Sequence, residues 1–195
     1  MAAHQKKARA LNALLVFIDE SGFLMAPLVR RTWAPRGVTP RLAQRTRSRH
    51  KVSVVAALTL APQRQRVGLY FQLLADANFT APDIVQFLRQ LRRQLQRPLV
   101  VVWDRLNAHR GDVVQRFLRR CPAVHLEFLP PYAPELNPVE LLWGHLKRNP
   151  LANYAPADVA DIHHVAHREM RRLRRRYPLL RAFLAGTPLS LFSPE

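Results

Sequence analysis

The sequence contains a single cysteine, Cys121, among its 195 residues. One thiol excludes an internal disulfide framework and any zinc site built from several cysteines. Long apolar runs are also missing, since no stretch approaches the roughly 18 to 20 residues that a membrane-spanning helix needs. The N-terminal apolar run ends in Asp19 and Glu20 without a small-residue cleavage pattern, which is typical of a strand rather than a signal peptide. These absences predict a soluble cytoplasmic protein.

Acidic residues are scarce. The chain has 13 Asp and Glu against 31 Lys and Arg, which gives a net charge of +18 and a sequence pI near 11.6. Basic residues often form only a solvated face, but a surplus of this size in a small domain indicates an anionic partner. Phosphate is the commonest dense anion that arginine meets, so nucleic acid is the predicted partner.

The hydrophobic pattern predicts an alternation of strands and helices within one domain. Apolar and β-branched runs predict strands at 13–20, 51–61, 67–74, 98–104 and 123–129. Apolar residues at helical spacing predict helices at 80–96, 112–120, 137–147 and 156–184, the last being one long or broken helix. Residues 24–50 are irregular and rich in arginine, which favours a long loop or a twisted hairpin.

This order of elements predicts an α/β fold in which three antiparallel strands precede strands joined by crossovers. Such an arrangement gives a mixed sheet flanked by helices. The order of the elements is that of the ribonuclease H-like fold. We expect a single domain over 1–195, with a core at about 11–150 and a basic helical segment at about 155–185.

Three acidic residues stand where such a fold would bring them together. Asp19 ends the first predicted strand, Asp104 ends the fourth, and Glu140 opens the helix after the fifth. Ligands of open α/β sheets bind beyond the carboxyl ends of the strands. Carboxylates that converge there repel one another unless a cation intervenes, and Mg²⁺ or Mn²⁺ prefers oxygen ligands.

Each acid also has a structural explanation. An Asp at a strand end often only forms a turn or caps a helix. Asn137 and Pro138 suit the start of a helix, which places Glu140 at the acidic position of a capping box. Glu135 stands in the turn before that helix, and Glu20 should face away from Asp19 because side chains alternate along a strand.

Three blocks of the sequence carry a family likeness: FIDESGF (17–23), VVWDRLNAHR (101–110) and LPPYAPELNPVELLWGHLK (129–147). Together they resemble the DDE transposases of the mariner superfamily, and within it the bacterial insertion-sequence branch. The likeness extends from about residue 11 to about residue 185.

The resemblance implies a ribonuclease H-like catalytic domain that holds two Mg²⁺ (or Mn²⁺) ions through Asp19, Asp104 and Glu140. His109 matches a histidine of this group, and Asn107 is a second candidate auxiliary residue. The implied chemistry is metal-dependent cleavage at transposon ends, followed by transfer of the 3′-hydroxyl into target DNA by a homo-oligomer assembled on double-stranded DNA. The first catalytic strand begins about ten residues in, so the helix-turn-helix module of family members is expected to be absent.

Two arginine-rich segments are the candidate contacts to the DNA backbone. The residues concerned are Arg41, Arg45, Arg47, Arg49, Lys51, Arg171, Arg172, Arg174, Arg175 and Arg176. Two tryptophans, Trp33 and Trp143, could stack on bases, but packing in the core is the favoured interpretation. Two other functions stay open: a catalytically inactive DNA-binding remnant of an insertion element, and a basic protein associated with RNA or ribosomes.

Overall fold

The structure is a computed structural model that describes residues 2–42, 50–104, 111–189 and 191–192. The strands are β1 (Leu14–Leu24), β2 (Lys51–Leu60), β3 (Val67–Ala75), β4 (Leu99–Trp103) and β5 (Val124–Phe128). The helices are α1 (Ala2–Ala10), α2 (Ala81–Leu95), α3 (Asp112–Arg120), α4 (Pro138–Arg148), α5 (Val159–Arg174) and α6 (Tyr177–Ala185). A 3-10 turn at Pro134–Leu136 precedes α4.

The five strands form one mixed sheet in the order β3-β2-β1-β4-β5. Strand β1 is antiparallel to β2, and β2 is antiparallel to β3. Strand β4 is parallel to both β1 and β5, because helices α2 and α3 supply the crossovers. The predicted fold class, a ribonuclease H-like mixed sheet flanked by helices, is confirmed.

The core lies on both faces of this sheet. Alternate residues of β1 point to opposite faces, so Leu15 and Phe17 pack with α4, α5 and α6, whereas Val16 and Ile18 pack with α2 and α3. A central strand that is covered on both sides must be apolar at every position. This explains why β1 appears in the sequence as a continuous apolar run.

Strand β1 is longer than the sequence predicts. The expected strand ended at Glu20, but pairing with β2 continues to the partners Leu24 and Lys51. The polar residues beyond Asp19 break the apolar pattern, while the backbone hydrogen bonds to β2 continue through them. Asp19 therefore lies within β1 and not at its end.

Helix α1 is not predicted by the sequence pattern. Nine residues are too few for a stable isolated helix, so contacts with the rest of the fold must hold it. Ala8 is buried in the core, and the Lys7 ammonium lies 2.5 Å from the Glu127 carboxylate of β5. These contacts are distant in sequence and leave no local signal.

The C-terminal helix predicted at 156–184 is broken into two helices, which is one of the two possibilities that the sequence left open. Helix α5 ends at Arg174 and α6 begins at Tyr177. Pro178 has no backbone N–H with which to continue the hydrogen bonding of α5, so the helix stops before it. Among the described residues, no helix is long and apolar enough to cross a membrane.

Candidate active site

The parallel pairing of β1 with β4 brings two of the predicted acids side by side. The register runs from Leu14 opposite Leu99 to Phe17 opposite Val102. Continued by two residues, it places Asp19 beside Asp104, which directly follows β4. The sheet itself thus produces the convergence that the sequence predicts.

The carboxyl group of Asp19 is buried, with a relative exposure of 8% for the residue. It accepts a hydrogen bond from the indole Nε1 of Trp143 at 2.9 Å. Burial raises the pKa of Asp19 to about 7, and the negative charge of Glu140 contributes to the same shift. The hydrogen bond from Trp143 opposes it without cancelling it. The surroundings of Asp19 therefore favour its protonated, neutral form up to about neutral pH.

Glu140 projects from the first turn of α4, whose start is fixed by Asn137. The Asn137 side chain accepts from the backbone N–H of Val139 at 3.2 Å and donates through Nδ2 to the Ile18 carbonyl at 3.2 Å. One buried amide thus caps α4 and ties it to β1 beside Asp19. The position of Glu140 relative to Asp19 depends on this link.

The alternative role of Glu140 as the acid of a capping box does not fit the hydrogen bonding. In such a box the glutamate accepts from the N–H of the capping residue. Here the N–H of Asn137 donates to the Pro134 carbonyl at 2.9 Å. Asn137 caps the helix as predicted, and the exposed Glu140 carboxylate faces the cleft.

All three predicted acids line one cleft of about 390 Å³. Asp19, Asp104 and Glu140 supply its acidic groups. The segment that connects β5 to α4 supplies a lining rich in proline, namely Leu129, Pro130, Pro131, Tyr132, Ala133 and Pro134. The cleft thus combines anionic groups with apolar surface.

The chemistry of the donor set fits a hard divalent cation. Carboxylate oxygens are the ligands that Mg²⁺ and Mn²⁺ prefer, and a cation would offset the unfavourable charge on Asp19. Within the described ranges, however, no three His, Cys, Asp or Glu side chains stand close enough together to hold one ion. Coordination by all three carboxylates therefore needs a change of side-chain position.

Glu20 and Glu135, the two other acids close in sequence to the site residues, do not line the cleft, as predicted. Glu20 accepts from the indole Nε1 of Trp103 at 3.4 Å, and Trp103 belongs to the core on the α2–α3 face. Asp19 and Glu20 thus point to opposite faces of β1. Glu135 is exposed in the 3-10 turn before α4.

The structure describes some of the predicted DNA-contact residues. Arg41 is exposed and Lys51 is half-buried at the start of β2. The five arginines of the C-terminal group are exposed at the end of α5 and just beyond it: Arg171, Arg172, Arg174, Arg175 and Arg176. The remaining candidates, namely Arg45, Arg47, Arg49, Asn107 and His109, lie outside the described residues.

One face of α5 and the residue after it carry arginine and histidine side chains. These residues, at spacings of three and four, line a shallow groove of about 350 Å³: His164, His167, Arg168, Arg171, Arg172 and Arg175. The opposite face packs on the sheet through Ile162, Ala166 and Leu173. The arginine-rich segment is thus an amphipathic helix with its charge in solvent.

Sequence reasoning missed the contact between Trp143 and Asp19. Trp143 is 2% exposed and packs edge-on against Phe23, so the prediction that it packs is confirmed. Its spacing of three residues from Glu140 was a usable signal, because such residues share a helix face. For Trp33 the packing prediction is wrong, since its side chain is fully exposed.

The fold and the three acids in its cleft define a ribonuclease H-like protein with an acidic site at the carboxyl edge of its parallel strands. The sequence matches the family described as DDE superfamily endonuclease over residues 14–162. The chain belongs to this family. Among curated proteins, none matches the chain significantly.

Solved structures of Mos1 transposase share the fold. The Mos1 paired-end complex with the left transposon end superimposes with a TM-score of 0.62 at 15% identity, over 95% of this chain and 59% of that chain. The Mos1 catalytic domain with raltegravir and Mg gives a TM-score of 0.51 at 14% identity, over 95% of this chain and 86% of that one. This chain thus spans somewhat more than half of the full transposase and most of its catalytic domain.

Proposed function

We propose that this chain is the catalytic domain of a DDE transposase, which cleaves DNA strands and transfers them to target DNA with divalent metal ions. The observation that carries the proposal is the cleft shared by Asp19, Asp104 and Glu140. Membership of the endonuclease family supports cleavage of nucleic acid as the reaction class. The net charge of +18 supports a polyanionic substrate.

The metal ions would be Mg²⁺ or Mn²⁺, two in number, held by Asp19, Asp104 and Glu140. Bound there, they would neutralise phosphate charge and lower the pKa of the attacking water or hydroxyl. Solved structures of the mariner Mos1 paired-end complex are described with Mn and with Mg, which supports this choice of ion.

The protein's own contribution is to position these groups. The strand register, continued two residues past its last pair Phe17–Val102, brings Asp19 and Asp104 to the same edge of the sheet. Asn137 fixes the start of the helix that carries Glu140. The hydrogen bond from Trp143 holds the Asp19 carboxylate in one orientation. Catalysis of phosphoryl transfer rests on such positioning and on charge neutralisation, because no covalent enzyme intermediate is needed.

The substrate would be double-stranded DNA, both at transposon ends and at the target, bound by a homo-oligomer. The exposed arginines at the end of α5 and Arg41 would contact the backbone. We assign the element to the bacterial insertion-sequence branch, which places the protein with the nucleoid in the cytoplasm. The chain would then correspond to the catalytic part of the transposase.

The test is metal-dependent nicking of supercoiled plasmid by the purified chain. We expect nicking in Mg²⁺ or Mn²⁺, none in EDTA, and a loss of at least about a hundredfold in Asp104→Asn. Glu135→Gln is the matched control, because it removes an exposed carboxylate from the segment before α4 and should keep full activity. Circular dichroism checks that both variants fold.

Two outcomes would contradict the proposal. Absence of nicking in either ion, with salt-sensitive DNA binding that ignores both metal and Asp19→Ala, would identify an inactive DNA-binding remnant. Preferential binding of RNA over duplex DNA would instead favour an RNA-associated protein.

A further inference from the structure

The proline-rich part of the cleft lining exposes an aromatic ring to solvent. Tyr132 has a relative exposure of 102%, so its ring makes no packing contact that hides it. Tyrosine rings normally bury a large area and contribute to the core. Tyr132 also lines the cleft that holds Asp19, Asp104 and Glu140. An unpacked aromatic beside three acids is a candidate contact for substrate.

The backbone at Tyr132 has a strained conformation that the neighbouring segments hold in place. Tyr132 has φ +57°, the left-handed region that side chains other than glycine enter with strain. Two prolines precede it, and the Leu129 N–H donates to the Trp103 carbonyl at 2.8 Å, which ties the segment to the end of β4. On the other side, the Leu136 N–H donates to the Ala133 carbonyl at 3.2 Å. Strained residues that the surroundings hold in this way concentrate at functional sites.

The chemistry of the cleft indicates what the ring would contact. Its acidic part would receive a phosphate through metal ions, according to the proposed function. A base attached to the nucleotide of that phosphate lies one sugar away, and its flat face matches an aromatic ring flanked by proline. Aromatic side chains bind unpaired bases by stacking, with little dependence on sequence.

We infer that Tyr132 is a stacking platform for an unpaired nucleobase beside the reacting phosphate. The inference rests on the proposed function and deepens it, because it assigns the site a preference for DNA whose end is unpaired at the reacting nucleotide. The ring provides the contact and the hydroxyl is dispensable. Tyr132 thus acts on substrate binding and position, while the carboxylates act on the phosphate.

The test compares the DNA affinities of wild-type and variant proteins for two probes, as in a double-mutant cycle with one change in the protein and one in the DNA. The probes are two fluorescein-labelled short duplexes that differ at one nucleotide of an unpaired 3′ end, one with a base and one abasic. Wild-type protein should bind the probe with a base more tightly by roughly five- to a hundredfold. Tyr132→Phe should keep this preference. Tyr132→Asn should lose it, while affinity for the abasic probe stays unchanged.

Asn is the chosen replacement because it tolerates a positive φ and so separates loss of the ring from backbone strain. Tyr132→Leu is a second variant, which keeps an apolar side chain and removes the π face. The inference is overturned if wild-type protein binds both probes equally, or if Tyr132→Asn retains the preference. Plasmid nicking measured on the same preparations reports the proposed function separately, since binding of these probes requires no cleavage.

Discussion

At the scale of single residues, burial and the neighbours Glu140 and Trp143 set the protonation of Asp19. Burial and the neighbouring Glu140 raise the pKa of Asp19 to about 7, while the hydrogen bond from Trp143 favours the charged form. Without a cation, the carboxylate is therefore costly to ionise in the folded protein. This cost makes stability depend on pH in a predictable direction.

We expect Asp19→Asn to stabilise the metal-free protein above pH 7. The pKa of this carboxyl rises from 3.8 in the unfolded chain to about 7 in the fold, so only the folded state keeps the proton between these values. The favourable contribution is complete below pH 3.8 and is lost as pH rises to about 7. The full loss is on the order of 4 kcal/mol at 1.36 kcal/mol per pKa unit.

Urea denaturation across this pH range measures the effect. The free energies of unfolding of wild type and Asp19→Asn should agree near pH 4 and diverge at higher pH. Glu135→Gln removes an exposed carboxylate instead and should follow the wild type throughout. Parallel curves for wild type and Asp19→Asn would show that the pKa of Asp19 is not raised.

Trp143→Phe should raise the pKa of Asp19 further. The substitution removes the indole N–H while leaving an aromatic ring to pack against Phe23. A hydrogen bond to a charged group contributes about 1.5–3 kcal/mol, so the stability lost should be larger above pH 7 than at pH 4. Carboxyl ¹³C chemical shifts followed by NMR report the titration directly.

The matched control for Trp143→Phe is Trp103→Phe. Trp103 donates to Glu20 on the opposite face of β1, so its replacement removes an indole donor without touching Asp19. An unchanged Asp19 titration in Trp143→Phe, or an equal shift in both variants, would contradict the assigned role.

At the scale of elements, helix α4 carries two of the groups that act on Asp19. Glu140 and Trp143 stand three residues apart on it, and Asn137 joins its start to β1. The sequence predicts this helix start correctly, because Asn, Pro and Glu at these positions are local signals. The attachment to Ile18 has no such signal, since it spans 119 residues of sequence.

Asn137→Ala should destabilise the fold by about 1–3 kcal/mol, since it removes the cap of α4 and the donor to Ile18. Asn137→Ser keeps an oxygen that can cap the helix and should recover part of the stability. Both variants should lower nicking, because Glu140 loses the link that sets its position. Urea denaturation and plasmid nicking measure the two effects.

The cap of helix α5 provides a control that distinguishes a loss of protein stability from a loss of the position of Glu140. Asp158 caps α5 by accepting from the Asp161 N–H at 2.8 Å, and this helix carries none of the three acids. Asp158→Ala should cost a similar stability and leave nicking unchanged under conditions where the protein is folded. Equal losses of nicking in both Ala variants would mean that Asn137 acts through stability alone.

At the scale of the whole molecule, arginines occur on both sides of the sheet, and the exposed side of α5 carries one dense group of them. Its basic face lies on the sheet side that also carries α4, while α2 and α3 cover the other. Affinity for DNA falls with salt according to the number of phosphates that a protein neutralises. If α5 contacts DNA as proposed, its arginines should account for part of that salt dependence.

Replacing Arg171, Arg172 and Arg175 by Gln should reduce the salt dependence of DNA binding. The slope of log affinity against log salt should fall by up to roughly 0.9 per arginine. The control replaces Arg93, Arg119 and Arg120, which are exposed on the α2–α3 side and remove the same charge. Fluorescence anisotropy at several salt concentrations measures both. Equal changes in the two triple variants would indicate that binding follows net charge alone.

The sequence by itself determined the order of the elements from β1 to α4, the excess of positive charge, and the three acids of the cleft. These features are visible because apolar periodicity, helix caps and composition are properties of short segments. Chain order and handedness rules then left few ways to arrange a mixed sheet.

Only the tertiary structure decided the extension of β1 to Leu24, the docking of α1, the contact from Trp143 to Asp19, and the exposure of Tyr132 on a strained turn. Each depends on groups far apart in sequence or on how much water is excluded around a side chain. The raised pKa of Asp19 is the clearest case, since burial is its main cause and burial exists only once the sheet and α4 have packed.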